Sequence, residues 1–255
     1  MSTDINSIKA QFEHIKLCVF DMAGTTVNED NLVYKTVRDA INQTLKEAGQ
    51  ANTQVDLDMC LEFGAGKEKR QAINDILNEL DIDKDDVKSL TDTVFAIFKA
   101  SLAEAYTEDT LAPFDGMLEL FDKLKDSGRT VVLNTGYDAK TANKILTILG
   151  WSVGREIDAL ITADDVVNGR PAPDMVTLAM DKFGIEDSQQ VLKAGDSGID
   201  IEEGKNANCG LCVGVLTGAQ TKAQLEKSSP DIVLDKLTDL AQLIKKSSPN
   251  IQHIT

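Results

Sequence analysis

Apolar residues fall along this chain in two rhythms. Residues 15 to 20, Ile-Lys-Leu-Cys-Val-Phe, form a short apolar run that ends at Asp21 and is followed by Gly24-Thr25-Thr26. That is the pattern of a buried strand running into a loop. Helical spacing then takes over in three stretches: Leu32, Val33, Val37, Ile41 and Leu45, closed by Gly49; Ile73, Ile76, Leu77 and Leu80; and Val87, Leu90, Val94, Phe98 and Leu102. After Pro113 the rhythm alternates. It predicts a helix from about Gly116 to Lys125, a strand at Thr130 to Asn134, a helix at Ala139 to Leu149 and a strand near Ile157 to Thr162. A helix at Asp174 to Phe183, a strand at Val191 to Ala194, a short helix after Gly198, a strand at Leu211 to Leu216, and a last strand and helix from Asp231 to Lys245 complete it.

Strand-helix alternation implies an α/β protein with a doubly wound parallel sheet. The first strand needs neighbours from the later part of the chain, so residues 28–111 read as an all-helical cap inserted after it, and 1–27 with 112–255 read as the core. A length of 255 residues allows one large domain or two modest ones. The formal net charge of -16 repels polyphosphate backbones and anionic membrane surfaces, so neither nucleic acid nor a membrane is an expected partner. The N-terminus is polar, without the apolar region of a signal peptide or a ~20-residue apolar span, and a cytoplasmic location is expected. Cys209-Gly-Leu-Cys212 has the spacing of a metal or redox pair but no second pair, and buried strand cysteines are the better reading. His14 and His253 stand at the two ends, so acid, base or nucleophile chemistry rests on carboxylates, lysines and hydroxyls.

Ligands of an open parallel sheet bind beyond the carboxyl ends of its strands. The first strand ends in Asp21-Met-Ala-Gly-Thr-Thr26 and the second in Asn134-Thr135-Gly136; Gly169-Arg170-Pro-Ala-Pro173 follows the third, and the fourth ends in Gly195-Asp196-Ser-Gly-Ile-Asp200. Two carboxylate clusters, a hydroxyl beside a glycine, and a cation suit a phosphoryl group held with Mg2+.

In that order and on alternating strands, these pieces resemble the haloacid dehalogenase superfamily of aspartyl-phosphate phosphotransferases, over nearly the whole chain. The resemblance implies a Rossmannoid core with a helical cap, Asp21 as the nucleophile, and Mg2+ between Asp21, Asp196 and the backbone carbonyl of Ala23. It implies that Asp200 holds the metal's waters or orients the loop, and that Thr135 and the amides beside it at Gly136 bind a phosphoryl oxygen. Arg170, where most of the superfamily has lysine, pairs with the phosphoryl group and Asp21. The partner implied is a small phosphonate or phosphate, and a homodimer is left open.

Superfamily phosphatases carry a second aspartate two residues after the nucleophile to protonate the leaving alkoxide; here Ala23 stands there. An enamine leaving group needs no such proton. The loop Phe63-Gly64-Ala-Gly66-Lys67 supplies a lysine, and with Asn-Thr-Gly-Tyr137 and Gly-Arg-Pro-Ala-Pro it resembles the phosphonoacetaldehyde hydrolase (phosphonatase) branch. That implies a Schiff base at Lys67 with Gly64 and Phe63 beside the substrate. Phe63 replaces a methionine of that branch and Arg70 a histidine. The alternative is a phosphatase of phosphoglycolate or sugar-phosphate type.

Overall fold

The computed structural model describes residues 5–50 and 52–244. The chain begins with α1 (Ile5–His14), β1 (Leu17–Asp21) and a short β2 (Val27–Asn28). Four helices follow: α2 (Leu32–Glu47), α3 (Leu57–Gly64), α4 (Lys69–Asn78) and α5 (Lys84–Ala105). Then come β3 (Ala112–Pro113), α6 (Met117–Asp126), β4 (Thr130–Asn134), α7 (Ala139–Leu149) and β5 (Ala159–Ile161). The chain continues with α8 (Asp174–Phe183), β6 (Val191–Gly195), α9 (Gly198–Asn206), β7 (Leu211–Val215), α10 (Lys222–Lys227) and β8 (Ile232–Leu234).

Six strands form one parallel sheet in the order β5-β4-β1-β6-β7-β8. Side chains of β1 alternate between its faces: Leu17 and Val19 pack with Met175, Val176 and Ala179 of α8, while Cys18 and Phe20 join the larger cluster with Phe12 and Phe121. Helices cover both faces, which is why these strands read as unbroken apolar runs and not as alternation. Strand order reverses between β1 and β6, so the loops after those two strands run in opposite directions and leave a crevice. In the register Asp21 lies beside Asn134, and Phe20 beside Ala194, two residues before Asp196.

The antiparallel pair β2–β3, with Val27 beside Pro113 and Asn28 beside Ala112, brings the entry and exit of the four-helix segment together. Within it α2 packs on α5, α4 on α5, and α3 on both α2 and α4. Two helices go beyond the apolar pattern. In α3 the apolar positions Leu57, Met59, Cys60, Leu61 and Phe63 match no helical stripe, and the start is set by Asp56, whose side chain accepts from the Met59 amide at 2.8 Å. In α1 only Ile8 and Phe12 are buried, too short a stripe to register as a period. The expected final helix is a 3₁₀ segment, Leu237–Leu243, and Lys245 lies outside the described residues.

The turn between α3 and α4 lies against the strand ends. Gly66 has φ +73°, and a Cβ there would stand 2.3 Å from Ser197 Oγ, so only glycine fits. Gly66→Ala is therefore expected to lower the unfolding free energy by at least about 1 kcal/mol, the cost of the left-handed backbone alone. Urea denaturation measures it; an unchanged midpoint would show that this turn does not rest on the sheet.

Candidate active site

β1 carries Asp21 to the crevice, where its carboxylate is 6% exposed. Arg170, in the segment before α8, reaches it from behind. Its Nη1 lies 2.6 Å from Asp21 Oδ1 and 2.9 Å from Asp200 Oδ1, and its Nε lies 3.1 Å from Glu203 Oε2. Its Nη2 donates to the Asn134 carbonyl at 2.9 Å and to Asn134 Oδ1 at 2.7 Å. Lys193, inside β6, places Nζ 2.8 Å from Asp200 Oδ1, 3.3 Å from Glu203 Oε2 and 3.0 Å from Asn134 Oδ1.

Asp196 stands on the far side of Asp21. It accepts from the Ala219 amide at 2.6 Å and from Thr25 Oγ1 at 3.3 Å. Gly24, at φ +82°, lies so close that a Cβ would meet Asp196 Oδ2 at 2.6 Å. Burial first, then the Asp21 and Asp200 charges, pushes the Asp196 carboxyl up to about 8. Burial also raises Asp21, against the pull of Arg170. Asp200 is buried too, yet Arg170, Lys193 and hydrogen bonds from Lys193 and Ser197 hold it below the usual range. Arg170 and Lys193 pair with Asp21, Asp200 and Glu203, while Asp196 stands across the crevice from them without an ion-pair partner among the described residues, and Lys69 lines the same nook.

A nook of about 20 Å³ is lined by Asp21, Ala23, Tyr34, Gly66, Lys69, Thr135, Gly136, Tyr137, Arg170 and Asp196. Asp21, Ala23, Thr135, Gly136, Arg170 and Asp196 thus converge as the sequence implies. Asp200 sits behind them, bound to Arg170, Lys193 and Ser197, in an orienting position.

The residues placed around the cap lysine do not converge. Lys67 Nζ pairs with Asp75 at 2.5 Å and is absent from the nook. Arg70 is exposed and pairs with Asp92 at 2.5 Å. Phe63 is half-buried against the main apolar cluster, and a Cβ at Gly64 would meet Ala72 and the Tyr34 ring only at ordinary contact distances. The reason is local. Glu68 is the N-cap, its side chain accepting from the Arg70 and Gln71 amides, so the helix starts at Lys69 and residue 67 lies before it.

Lys69 takes the position instead. It shares the buried face of α4 with Ala72, Ile73, Ile76 and Leu77. Its Nζ donates to the Lys67 carbonyl at 2.9 Å and lies 5.2 and 5.7 Å from the Tyr34 and Tyr137 ring centres. Burial lowers its pKa, against the Asp21 and Glu29 charges and with help from Arg170. The signal was a lysine four residues before Ile73, on an apolar stripe. Lys193 and Glu203, the interior pair behind Asp21, carried a similar mark: a lysine inside an apolar strand. Cys212 is the buried strand cysteine expected, its thiol pushed up to about 12 by burial, whereas Cys209 is half-buried and stands before β7.

Carboxylates at the strand ends of a doubly wound sheet, gathered on a buried arginine, define a hydrolase of the strand-end aspartate class. The chain belongs to the haloacid dehalogenase-like hydrolases, whose family model matches residues 15–208. It is 27% identical to the phosphonoacetaldehyde hydrolase of Latilactobacillus sakei subsp. sakei, over 94% of this chain and 98% of that one. It is 34% identical to the phosphoglycolate phosphatase of Pectobacterium atrosepticum over 41% of this chain and 44% of that one. The solved structure of a phosphonoacetaldehyde hydrolase-like protein from Oleispira antarctica has the same fold, with TM-score 0.70 over 90% of this chain and 91% of that one at 23% identity.

Lys193→Met leaves Asp200 and Glu203 short of a buried partner and is expected to cost about 3–5 kcal/mol of stability. Lys67→Met removes a partly exposed pair and should cost under about 1 kcal/mol. Urea denaturation of the two variants side by side checks the contrast; equal losses would contradict it.

Proposed function

We propose that this hydrolase cleaves the carbon–phosphorus bond of a small 2-oxoalkyl phosphonate, using Asp21 as nucleophile and Lys69 as the carbonyl-binding amine. The observation that carries the reading is a buried lysine in the same nook as Asp21 and Arg170, at a site where Ala23 leaves no acid for an alkoxide. Residues 28–111 act as the cap, and the turn at Gly66 to Glu68 closes it over the strand ends.

The donor set fits Mg2+. The Asp21 and Asp196 carboxyls, both raised first by burial, and Ala23 beside them suit a hard divalent cation with oxygen ligands, which would favour their ionised forms. Among the described residues no three His, Cys, Asp or Glu side chains form a ready cage, and the ligands proposed are those the family resemblance implies, Asp21, Asp196 and the main-chain carbonyl of Ala23. Bound there, Mg2+ would offset the repulsion between the carboxylates and the phosphoryl oxygens.

This chain's own groups do the rest. The Lys69 ammonium and the substrate carbonyl condense to an iminium and water. An Asp21 oxygen attacks phosphorus, the carbon–phosphorus electron pair moves into the iminium to give a neutral enamine, and an aspartyl phosphate remains. Water cleaves that acyl phosphate; the enamine gains a proton on carbon and is hydrolysed, which frees Lys69. Thr135 and the amides beside it hold phosphoryl oxygens, and Arg170 aligns Asp21 while balancing charge. Desolvation of Lys69 favours the amine that the first step needs.

A phosphomonoesterase reading draws on the phosphoglycolate phosphatase relative, but it leaves both Ala23 and the buried Lys69 without a task. Phosphate release with Mg2+ across a panel of 2-oxoalkyl phosphonates and phosphate esters separates the two. Phosphonoacetaldehyde should be among the best substrates, Asp21→Asn should abolish turnover, and Lys69→Arg should lose carbon–phosphorus cleavage at least about 10³-fold while Lys67→Arg keeps it. Borohydride added during turnover should fix a stable mass on the peptide carrying Lys69. Rapid ester turnover by Lys69→Arg, with no adduct in the native protein, would transfer the assignment to a phosphatase.

A further inference from the structure

Glu29 lies outside the strand-end network, in the loop between β2 and α2, and is only 5% exposed. Hydroxyl and amide donors hold it: Oε2 accepts from the Tyr106 hydroxyl and, at 3.3 Å, from the Val33 amide. The Tyr106 hydroxyl lies 2.7 Å from that of Tyr137. Tyr137 in turn lines the nook and presents its ring to Lys69 Nζ. Two hydrogen-bonded phenols thus run from a buried carboxyl to the aromatic wall of the lysine's pocket, where the Tyr137 ring face meets Lys69 Nζ, and the mechanism above uses none of it.

We propose that Glu29 is the proton store for Lys69. Through Tyr106, Tyr137 and a water that would bridge the Tyr137 hydroxyl to Lys69 Nζ, it takes the proton that the Lys69 ammonium must lose before attacking a carbonyl, and returns it to the hydroxyl of the carbinolamine. The inference rests on the carbonyl-binding reading of Lys69. The balance closes. Ammonium and carboxylate become amine and carboxylic acid; the nitrogen–carbon bond forms as the carbonyl oxygen becomes a hydroxyl, taking a proton from nitrogen. That hydroxyl then leaves as water with the proton lent to Glu29, giving the iminium and restoring the carboxylate.

A proton store must change charge near the working pH. Burial raises the Glu29 carboxyl from 4.5 to about 7, against the Tyr106 hydrogen bond and the Lys69 charge. The titratable groups that face it are Tyr106 at the end of α5, Tyr137 after β4, Lys69 of α4, Tyr34 of α2 and Asp21 of β1. The three phenols are themselves raised by burial, so they relay a proton without holding a charge. With its folded value above its unfolded one, Glu29 makes the folded protein keep a proton that the unfolded chain loses, and stability falls as pH rises from 4.5 to about 7.

Glu29→Gln keeps the shape and the acceptor for Tyr106 but stores no proton. With phosphonoacetaldehyde and Mg2+, kcat should fall roughly 10²-fold with KM little changed, and borohydride trapping on Lys69 should slow by the same factor. In the native protein, activity should rise with pH through about 7; the variant should lose that limb, and Glu29→Asp should recover part of it. The variant should also melt higher than the native protein at pH 8 and the same at pH 5, the opposite of what a structural carboxylate gives. Native kcat, trapping rate and pH profile in Glu29→Gln, or a lower melting temperature at pH 8 with the limb intact, would overturn the proposal. If the native protein itself traps no adduct, the Lys69 reading falls and this proposal with it; if the native protein traps and Glu29→Gln matches it, only the proposal falls.

Discussion

The buried Arg170 guanidinium is the contact on which the site depends. One planar group reaches Asp21, Asp200, Glu203 and both oxygens of Asn134, tying β1, β4 and α9 to the loop before α8. A lysine there could not make so many directional contacts, because an ammonium offers a point charge and not a fork. Lys193 repeats the pattern from β6, and the two cations share Asp200 and Glu203. Breaking either removes the partner of a charge that has no access to water, so the folded sheet and the aim of Asp21 stand together.

The same network leaves Asp196 outside its ion pairs. Asp196 accepts from backbone amides and the Thr25 hydroxyl, and its carboxyl is raised first by burial and then by the Asp21 and Asp200 charges. On the cap side the tension has the other sign: Lys69 is held among aromatic rings, where its ammonium is disfavoured. Both strains face the same nook. Proteins retain destabilised groups where chemistry uses them, and here the anionic half belongs to the sheet and the cationic half to the helical segment.

The core was legible because its signals are local and repeated. Asp21, Asn134-Thr135-Gly136 and Asp196 each follow an apolar run, the parallel register brings them together, and Arg170 joins them from the loop between β5 and α8. The cap was less legible. Motif spacing pointed to Lys67, but a lysine's direction depends on where the helix begins, and the Glu68 cap moved the start to Lys69. The side-chain network behind Asp21 left almost no trace, since Lys193 and Glu203 look like single polar residues in apolar segments until the sheet pairs them. Glu29 and Tyr106 are 77 residues apart, joined only when β2 meets β3 at the two ends of the helical segment.

On the proposed function, Asp21 and Asp196 together hold one divalent cation at the strand ends. Isothermal titration of the cation-free protein with Mg2+ tests it most directly. One site per chain is expected, lost in Asp196→Ala while that variant stays folded. Failure of the native protein to bind Mg2+, or unchanged binding in Asp196→Ala, would contradict it.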